Sequence, residues 1–316
     1  MRGKLVSQTW RWNPVLHAPH RYRKACNYHA FIPDALSGSE FTLSSGVAAT
    51  VAEAERAILT LNARADSALA PLARLLLRTE SIASSKIEGL QFGIRQLARS
   101  ESKLDAGGMA SATVLEVLGN IEAMQTAVDE ASRAERIEVR HVVEIHTKLM
   151  TNAPNAHVAG KIRVDQNWIG GNDYNPCGAD FVPPPPEAVP EAMADLCAAV
   201  ASDEFSPVVQ AALVHAQFET IHPFIDGNGR TGRALIHVAL RRRGMATHYV
   251  PPISVVLGAH RERYIEGLTA FRDGRLETWI EQFAVAAGQS AALAAGYLKA
   301  VADLMDSWRD RLRQGA

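Results

Sequence analysis

The amino-acid sequence predicts a mainly α fold with one small β-hairpin, and three observations carry that expectation. Apolar residues recur at spacings of three and four through most of the chain after about residue 48. Residues 160–186 break that period with short β-prone pieces, paired glycines and four consecutive prolines. Composition, 47% hydrophobic and 21% charged over 316 residues, provides for a sizeable core rather than a disordered chain.

Taken in order, residues 1 to about 45 are rich in aromatic, basic and proline residues (Trp10, Trp12, Pro14, Tyr22, Pro33) with little periodicity, and read as an irregular arm against a larger body. Leu69, Leu72, Leu75 and Leu76 then fall on one helix face. Asp105-Ala-Gly-Gly is a break. A second amphipathic run holds Val114, Val117, Leu118, Ile121 and Val128, and a third Val139, Val142, Val143, His146, Leu149 and Met150. Ile162-Arg-Val164 and Trp168-Ile169 predict a small hairpin, and Pro183 to Pro186 a rigid extended connector. Helix resumes over Glu187 to Val200. Ser206-Pro207 supplies an N-cap and first-turn pair for a helix over Val208 to Ile221. A further helix runs from about Arg230 to Arg243 and stops at Gly244. Trp279, Ile280 and Phe283 mark another helix with core-facing Trp279, and the last thirty or so residues are helical too.

A formal net charge of −1 gives no global attraction to nucleic acid. The basic run Arg241 to Arg243 sits where it complements a helix dipole. Three cysteines, Cys26, Cys177 and Cys197, have no metal-ligand spacing, and their odd, sparse count predicts a reducing compartment without a disulfide scaffold. No apolar run reaches the roughly 18 residues that span a bilayer, and the N-terminus has no apolar stretch of the signal-peptide kind. The expectation is a cytoplasmic protein with neither membrane nor nucleic-acid partners.

The chemistry concentrates in His222 to Arg233, HPFIDGNGRTGR. His222-Pro223 ends one helix, because proline lacks a donor and restricts the residue before it. Two glycines around Asn228 let successive N–H groups point at one anion. The following helix start adds its unpaired N–H groups and positive dipole end. Arg230 and Arg233, three apart, supply charge for further phosphates. Asp226 is a hard oxygen ligand suited to Mg²⁺ that phosphate also holds, and His222 can take a proton from an attacking hydroxyl. A base, a metal ligand, an anion cradle and two counter-charges thus fall in one short segment.

That segment resembles, position for position, the signature HxFx[DE]GNGRxxR of the Fic (filamentation induced by cAMP) domain. The matching residues are His222, Phe224, Asp226, Gly227, Asn228, Gly229, Arg230 and Arg233. The resemblance implies a Fic-type helical core with a small β-hairpin flap, over 106–285. An N-terminal arm and helices (1–105) would precede it and a C-terminal helical segment (286–316) follow. It also implies protein AMPylation: a target Ser, Thr or Tyr hydroxyl attacks the α-phosphate of ATP and pyrophosphate leaves. His222 would be the general base and Asp226 the Mg²⁺ ligand. Gly227 to Gly229 would cradle phosphates, Arg230 and Arg233 would bind the distal ones, and Phe224 would anchor the loop. Thr231 and Gly232, between the arginines, are counted with the nucleotide-binding residues. Gly229 stands where a phosphoryl-transferring relative has Lys, which favours AMP transfer.

Upstream, Ser84-Ser-Lys-Ile-Glu88-Gly89 resembles the family's inhibitory motif [ST]xxxE[GN]. Ser84 and Glu88, four apart, share one helix face, and a carboxylate paired with Arg233 would occupy the charge meant for the γ-phosphate. Some relatives with this glutamate also remove AMP, and the sequence leaves that reverse activity open. Lys161 to Gly170 resembles the family's flap, with Trp168, Ile169 and Gly170 beside nucleotide and target. Tyr264 stands near the adenine side, where relatives often have two tyrosines and this chain has Ile265 second. His215 and His222, seven apart, are too distant along a helix to share a metal ion, which leaves His215 in the core or behind the site. Relatives often dimerise, so a homodimer is consistent with the resemblance. Two other classes stay open: a regulator that senses ATP without turnover, which would need no His222, and a metal-dependent phosphohydrolase built on the histidines and Asp226.

Overall fold

A computed structural model of the chain describes residues 3–12, 17–63 and 69–314; Pro14 lies outside them. Two antiparallel strands open the chain, β1 (Gly3–Trp10) and β2 (Cys26–Pro33), in register from Gly3 opposite Pro33 to Trp10 opposite Cys26. Helices follow: α1 (Ser45–Asn62), α2 (Ala70–Ile87), α3 (Ile94–Asp105), α4 (Ala112–Asp129), α5 (Val139–Met150), α6 (Val189–Ala201), α7 (Pro207–Ile221), α8 (Asn228–Arg242), α9 (Ile253–Ala259), α10 (Arg261–Arg272) and α11 (Leu276–Gln314).

The fold is mainly α because most of these segments offer one apolar stripe to a common core. α7 is the exception that organises the rest. It is apolar nearly all round and buried along almost its whole length, which is what a central helix requires. Its polar side chains have inward tasks: Gln210 Nε2 donates to the carbonyls of Ala199 (2.7 Å) and Ser202 (2.7 Å) at the end of α6. Fully buried Trp279 of α11 donates Nε1–H to Ala212 O of α7 (2.8 Å), as its core placement predicts. α8 packs along α7, α4 packs on α5 and α8, and α1 lies along α11. At Ser206 the N-cap position is as expected, but the serine side chain makes no cap bond. Glu55 of α1 takes that part, accepting from Val208 N (3.1 Å).

Four expectations need correction. The N-terminal arm is not irregular: burial alternates along Leu5 to Trp10 and Cys26 to Ala30 in a strand pair, hidden in the sequence by the proline-bearing connection over 11–25. The hairpin expected over 162–169 does not form. Only Ile169 bridges, to Phe181, because the facing prolines have no N–H to donate to a ladder. The last two expected helices are a single one, α11. Cys26 and Cys177 are disulfide-bonded, with Cα atoms 6.2 Å apart. The strand pair brings Cys26 to the loop before the prolines, a proximity that spacing does not reveal, and the cysteine argument for a reducing compartment falls with it. Cys197 is free and buried. No helix among the described residues is long and apolar enough to cross a membrane.

Candidate functional site

The site is built at the break between α7 and α8. His222 caps α7 in the left-handed region (φ 50°, ψ 59°), where among the described residues it is alone in being non-glycine. A β-carbon there costs about 1 kcal/mol or more, so surrounding contacts must hold it. They do. Arg163, 3% exposed, donates Nε–H to His222 O (2.9 Å) and Nη2–H to Pro184 O (2.6 Å), and its own N–H bonds Pro223 O (2.9 Å). Asn167 Nδ2 donates to the carbonyls of His222 (3.1 Å) and Phe224 (2.9 Å).

Phe224, fully buried, pins the middle of the loop. Its ring stacks on His146 of α5 at 3.6 Å. His146 Nδ1 accepts from Gly160 N (3.0 Å), so its proton sits on Nε2, which donates to Asp226 O (2.9 Å). Asn228 closes the turn reciprocally with Phe224: its Oδ1 accepts from the backbone N–H and its Nδ2 donates to the carbonyl. Gly227 (φ 77°) is the N-cap of α8, and a β-carbon there would press on Met150, Leu149 and His146. This tight cap starts α8 two residues earlier than the sequence suggests.

A cavity of about 300 Å³ opens over this turn, lined by His222, Asp226, Gly227, Asn228, Gly229 and Arg230 together with Glu88 and Glu116. Asp226 offers it a carboxylate oriented by Gly227 N (2.6 Å) and Asn155 Nδ2 (2.6 Å). Arg230, 4% exposed, leaves Nε and Nη1 without a hydrogen bond; Glu116 Oε2 lies 3.7 Å from Nη1. Buried guanidinium donors rarely go unmet, so these ask for an anion. Burial first, with Arg163 and Arg272 adding, holds His222 down to about 4, against the push of Glu219 O and Glu88. Its imidazole is therefore neutral at pH 7, and with Nδ1 nearest Glu219 O (3.3 Å) the other nitrogen is left to accept a proton.

Arg233 is fully buried and already engaged. Nε donates to Ser84 Oγ (2.8 Å), and Nη2 to Ser84 O (2.9 Å) and Glu88 Oε1 (2.7 Å). Ser84 and Glu88 thus share a helix face onto one guanidinium, and Gly89 (φ 86°) turns the chain away. Burial alone would raise the Glu88 carboxyl, but the charge and hydrogen bond of Arg233, with Arg230 and His222 adding, bring it below its ordinary value. Glu80, one helical turn before Ser84, extends the same stripe: its Oε1 accepts from Ser254 Oγ (2.6 Å) and lies 3.2 Å from His237 Nε2 of α8.

Several expected site residues lie elsewhere. Thr231 and Gly232 are buried and do not line the cavity, and Gly232 faces Glu219, Phe218 and His215 of α7. Tyr264 does not line the cavity either. It is 7% exposed, its hydroxyl meets His215 Nε2 (2.8 Å) and its ring packs on His215 and Trp279, which makes His215 the core histidine expected. Trp168, Ile169 and Gly170 stand outside the cavity, following Asn167 along the chain. Trp168 donates to Asn172 O (2.6 Å) and its ring meets Trp10 edge-on. The sequence reading missed Arg163, Asn167, His146 and Asn155. A buried arginine in a β-prone triplet and a histidine in an amphipathic run carry no sequence signal of such contacts.

The model of the Fic/DOC family matches residues 136–240, and that of the family's N-terminal region matches residues 48–129. The chain belongs to the Fic/DOC family. Among its Fic relatives, protein adenylyltransferase Fic of Drosophila willistoni is 28% identical over 257 residues, 80% of this chain and 48% of that protein. Protein adenylyltransferase fic-1 of Caenorhabditis briggsae is 31% identical over 131 residues, 40% of this chain and 23% of that protein. The chain thus spans less than half the length of these curated relatives. The crystal structure of a Fic family protein from Desulfovibrio desulfuricans G20 shares the fold, with a TM-score of 0.65 at 24% identity over 81% of this chain and 76% of that one. Fic-1 of Caenorhabditis elegans does so with a TM-score of 0.64 at 20% identity over 81% and 74%.

Proposed function

We propose that this chain is an autoinhibited protein adenylyltransferase, moving AMP from ATP to a Ser, Thr or Tyr hydroxyl of a target protein. The observation that carries the proposal is the convergence, in one cavity, of the neutral His222 imidazole, the start of α8 and the unmet donors of Arg230, under a glutamate that occupies Arg233. In this reading the N–H groups at the start of α8 and Arg230 bind and orient the triphosphate. His222 takes the proton of the incoming hydroxyl at its ring nitrogen facing the cavity. A new O–P bond forms at the α-phosphorus as the bond to pyrophosphate breaks. Asp226, one oriented carboxylate at the cavity wall, fits an ion shared with phosphate oxygens rather than an all-protein cage. Mg²⁺ bound there would neutralise charge on the phosphates.

Glu88 blocks this chemistry by holding Arg233 and by repelling a γ-phosphate, leaving ATP displaced from in-line geometry, where a small displacement costs much of the rate. The half-exposed Glu88 carboxylate at the cavity wall also favours a second activity of the same site, AMP removal with Glu88 positioning water. Incubation with ATP labelled at the α-phosphate tests the main reading. Glu88→Gly is expected to raise protein labelling at least tenfold over the natural sequence, and His222→Ala to abolish it. Equal labelling of a folded Glu88→Gly protein would remove the brake, and labelling that survives His222→Ala would remove the base.

A further inference from the structure

One largely buried carboxyl near the site has no part in the chemistry above. Glu219 stands on the last turn of α7, three residues before His222, with its side chain 12% exposed. Its Oε2 lies 3.9 Å from His222 Nδ1, and its Oε1 has no hydrogen-bond partner. A buried, unsatisfied carboxyl oxygen is costly to a fold. Space is nevertheless kept for it: α8 has a glycine, Gly232, where any side chain would collide with this carboxyl. Groups from every neighbouring element bear on it, namely Arg233 of α8, Glu88 after α2, Arg272 and Tyr264 of α10, and His215 and His222 of α7 itself.

Building on the adenylyltransferase reading, we propose that Glu219 is the positioning residue of His222, accepting Nδ1–H with its carboxylate and stabilising the imidazolium formed as the other ring nitrogen takes the hydroxyl proton. In the resting site the Glu219 backbone oxygen holds Nδ1 at 3.3 Å while the carboxylate waits slightly beyond hydrogen-bond reach. Contacts of this kind commonly tighten only when substrate binds. The proton passes from the hydroxyl to His222 and afterwards to water; Glu219 shares Nδ1–H and is not consumed.

The arrangement also couples the base to the brake. Burial first, with Glu88 adding and Arg233 and Arg272 opposing, pushes the Glu219 carboxyl up to about 7. When Glu88 leaves Arg233, one of the pushes against the ionised carboxylate leaves too. The movement that frees the phosphate-binding arginine therefore also eases ionisation of the partner of the base.

The test compares Glu219→Gln with its parent in a Glu88→Gly background, by AMP transfer across pH. The parent is expected to show a rate that rises with pH at or below about 7, since removal of Glu88 eases ionisation of the carboxyl. Glu219→Gln should lose that rising limb and lower kcat by about tenfold to a hundredfold, with KM for ATP unchanged. An unaltered kcat and pH profile would overturn the proposal. A parent that gives no His222-dependent labelling would instead sink the adenylyltransferase reading. In that event the His222 titration, read by NMR on ¹⁵N-histidine protein with His222→Asn for assignment, decides the positioning role. Glu219→Gln should move the titration to lower pH, and an unmoved titration contradicts the role. If Glu219→Gln does not melt as a folded protein, Glu219→Asp takes its place: it should keep the rising limb at a reduced rate, and a lost limb would count against the carboxylate.

Discussion

The proposed catalytic turn and the proposed brake over it are held in different ways. In the turn, the carbonyls of His222, Phe224 and Asp226 are each met by a donor from a buried or half-buried side chain, and those donors come from separate segments: Arg163 and Asn167 before the prolines, His146 from α5, Asn228 from the turn itself. The brake is lopsided. Arg233 has 1% of its side chain exposed, and Glu88 has 40%. The turn is a preformed rigid site, since the carbonyls of His222 and Phe224 each have two donors and that of Asp226 has His146. The Glu88 side chain is 40% exposed, so its contact with Arg233 can open toward solvent. Rigidity is thus placed where geometry matters, and release where control is needed.

The sharpest way to break this contrast is to attack the turn from outside its motif. Arg163→Ala strands the carbonyl of Pro184, leaves that of His222 to Asn167 alone, and is expected to cost about 2–4 kcal/mol in chemical denaturation. Glu88→Gly should cost less in the same assay, because Arg233 keeps its two bonds to Ser84 and the partner lost is 40% exposed. Equal losses would erase the distinction.

Acid tests the same rigidity. Burial first of all holds His146 down to about 4 and His215 to about 3, and it lowers His222 as well. The unfolded chain therefore binds more protons than the folded one once pH drops below about 6.5, and stability should fall from there toward pH 4. For His146 alone the loss is on the order of 3 kcal/mol. Glu219 acts with the opposite sign, its raised carboxyl losing stability as pH rises from the ordinary range to about 7. A Glu219→Gln protein should consequently show the steeper acid loss, measured by denaturation midpoints between pH 4 and 8. A flat profile would mean the histidines are not held neutral.

A smaller effect belongs to the N-terminal strands. The Cys26–Cys177 link ties β2 to the loop that continues into the prolines, helped by Phe31 N–H to Val182 O (2.9 Å) and the stacked Tyr22 and Tyr174 rings. Cys26→Ser should lower stability by about 2–4 kcal/mol at most. Thiol counting by mass spectrometry under native conditions should find Cys197 alone free. Three free thiols would show the pair unlinked.

How much of this was legible depends on how local each interaction is. The turn reads from sequence because its base, acid, glycines and arginines fall within one short run. Ser84 and Glu88 read as one helix face, but Arg233 as their partner is 145 residues from Glu88 and was reached through the family resemblance alone. Arg163, Asn167, His146 and Asn155 were not legible. Arg163, Asn167 and Asn155 are polar residues in segments that look like surface, and only the fold turns them inward; His146 reads as part of an apolar helix face, which gives its burial but not its partners. The strand pair escaped for the same reason, its register being set across a long proline-bearing connection. Thr231 and Gly232 do not line the cavity, and a motif gives residues in order but not which way each of them faces.

The central claim is that Glu88 and the γ-phosphate of ATP compete for Arg233. It is tested most directly by calorimetric binding of ATP and ADP with magnesium to His222→Ala protein, with and without Glu88→Gly. With Glu88 present, ATP should bind no more tightly than ADP. Without it, ATP should gain at least about tenfold over ADP, which corresponds to roughly 1.4 kcal/mol. An ATP-to-ADP preference that stays the same in both proteins would contradict the account.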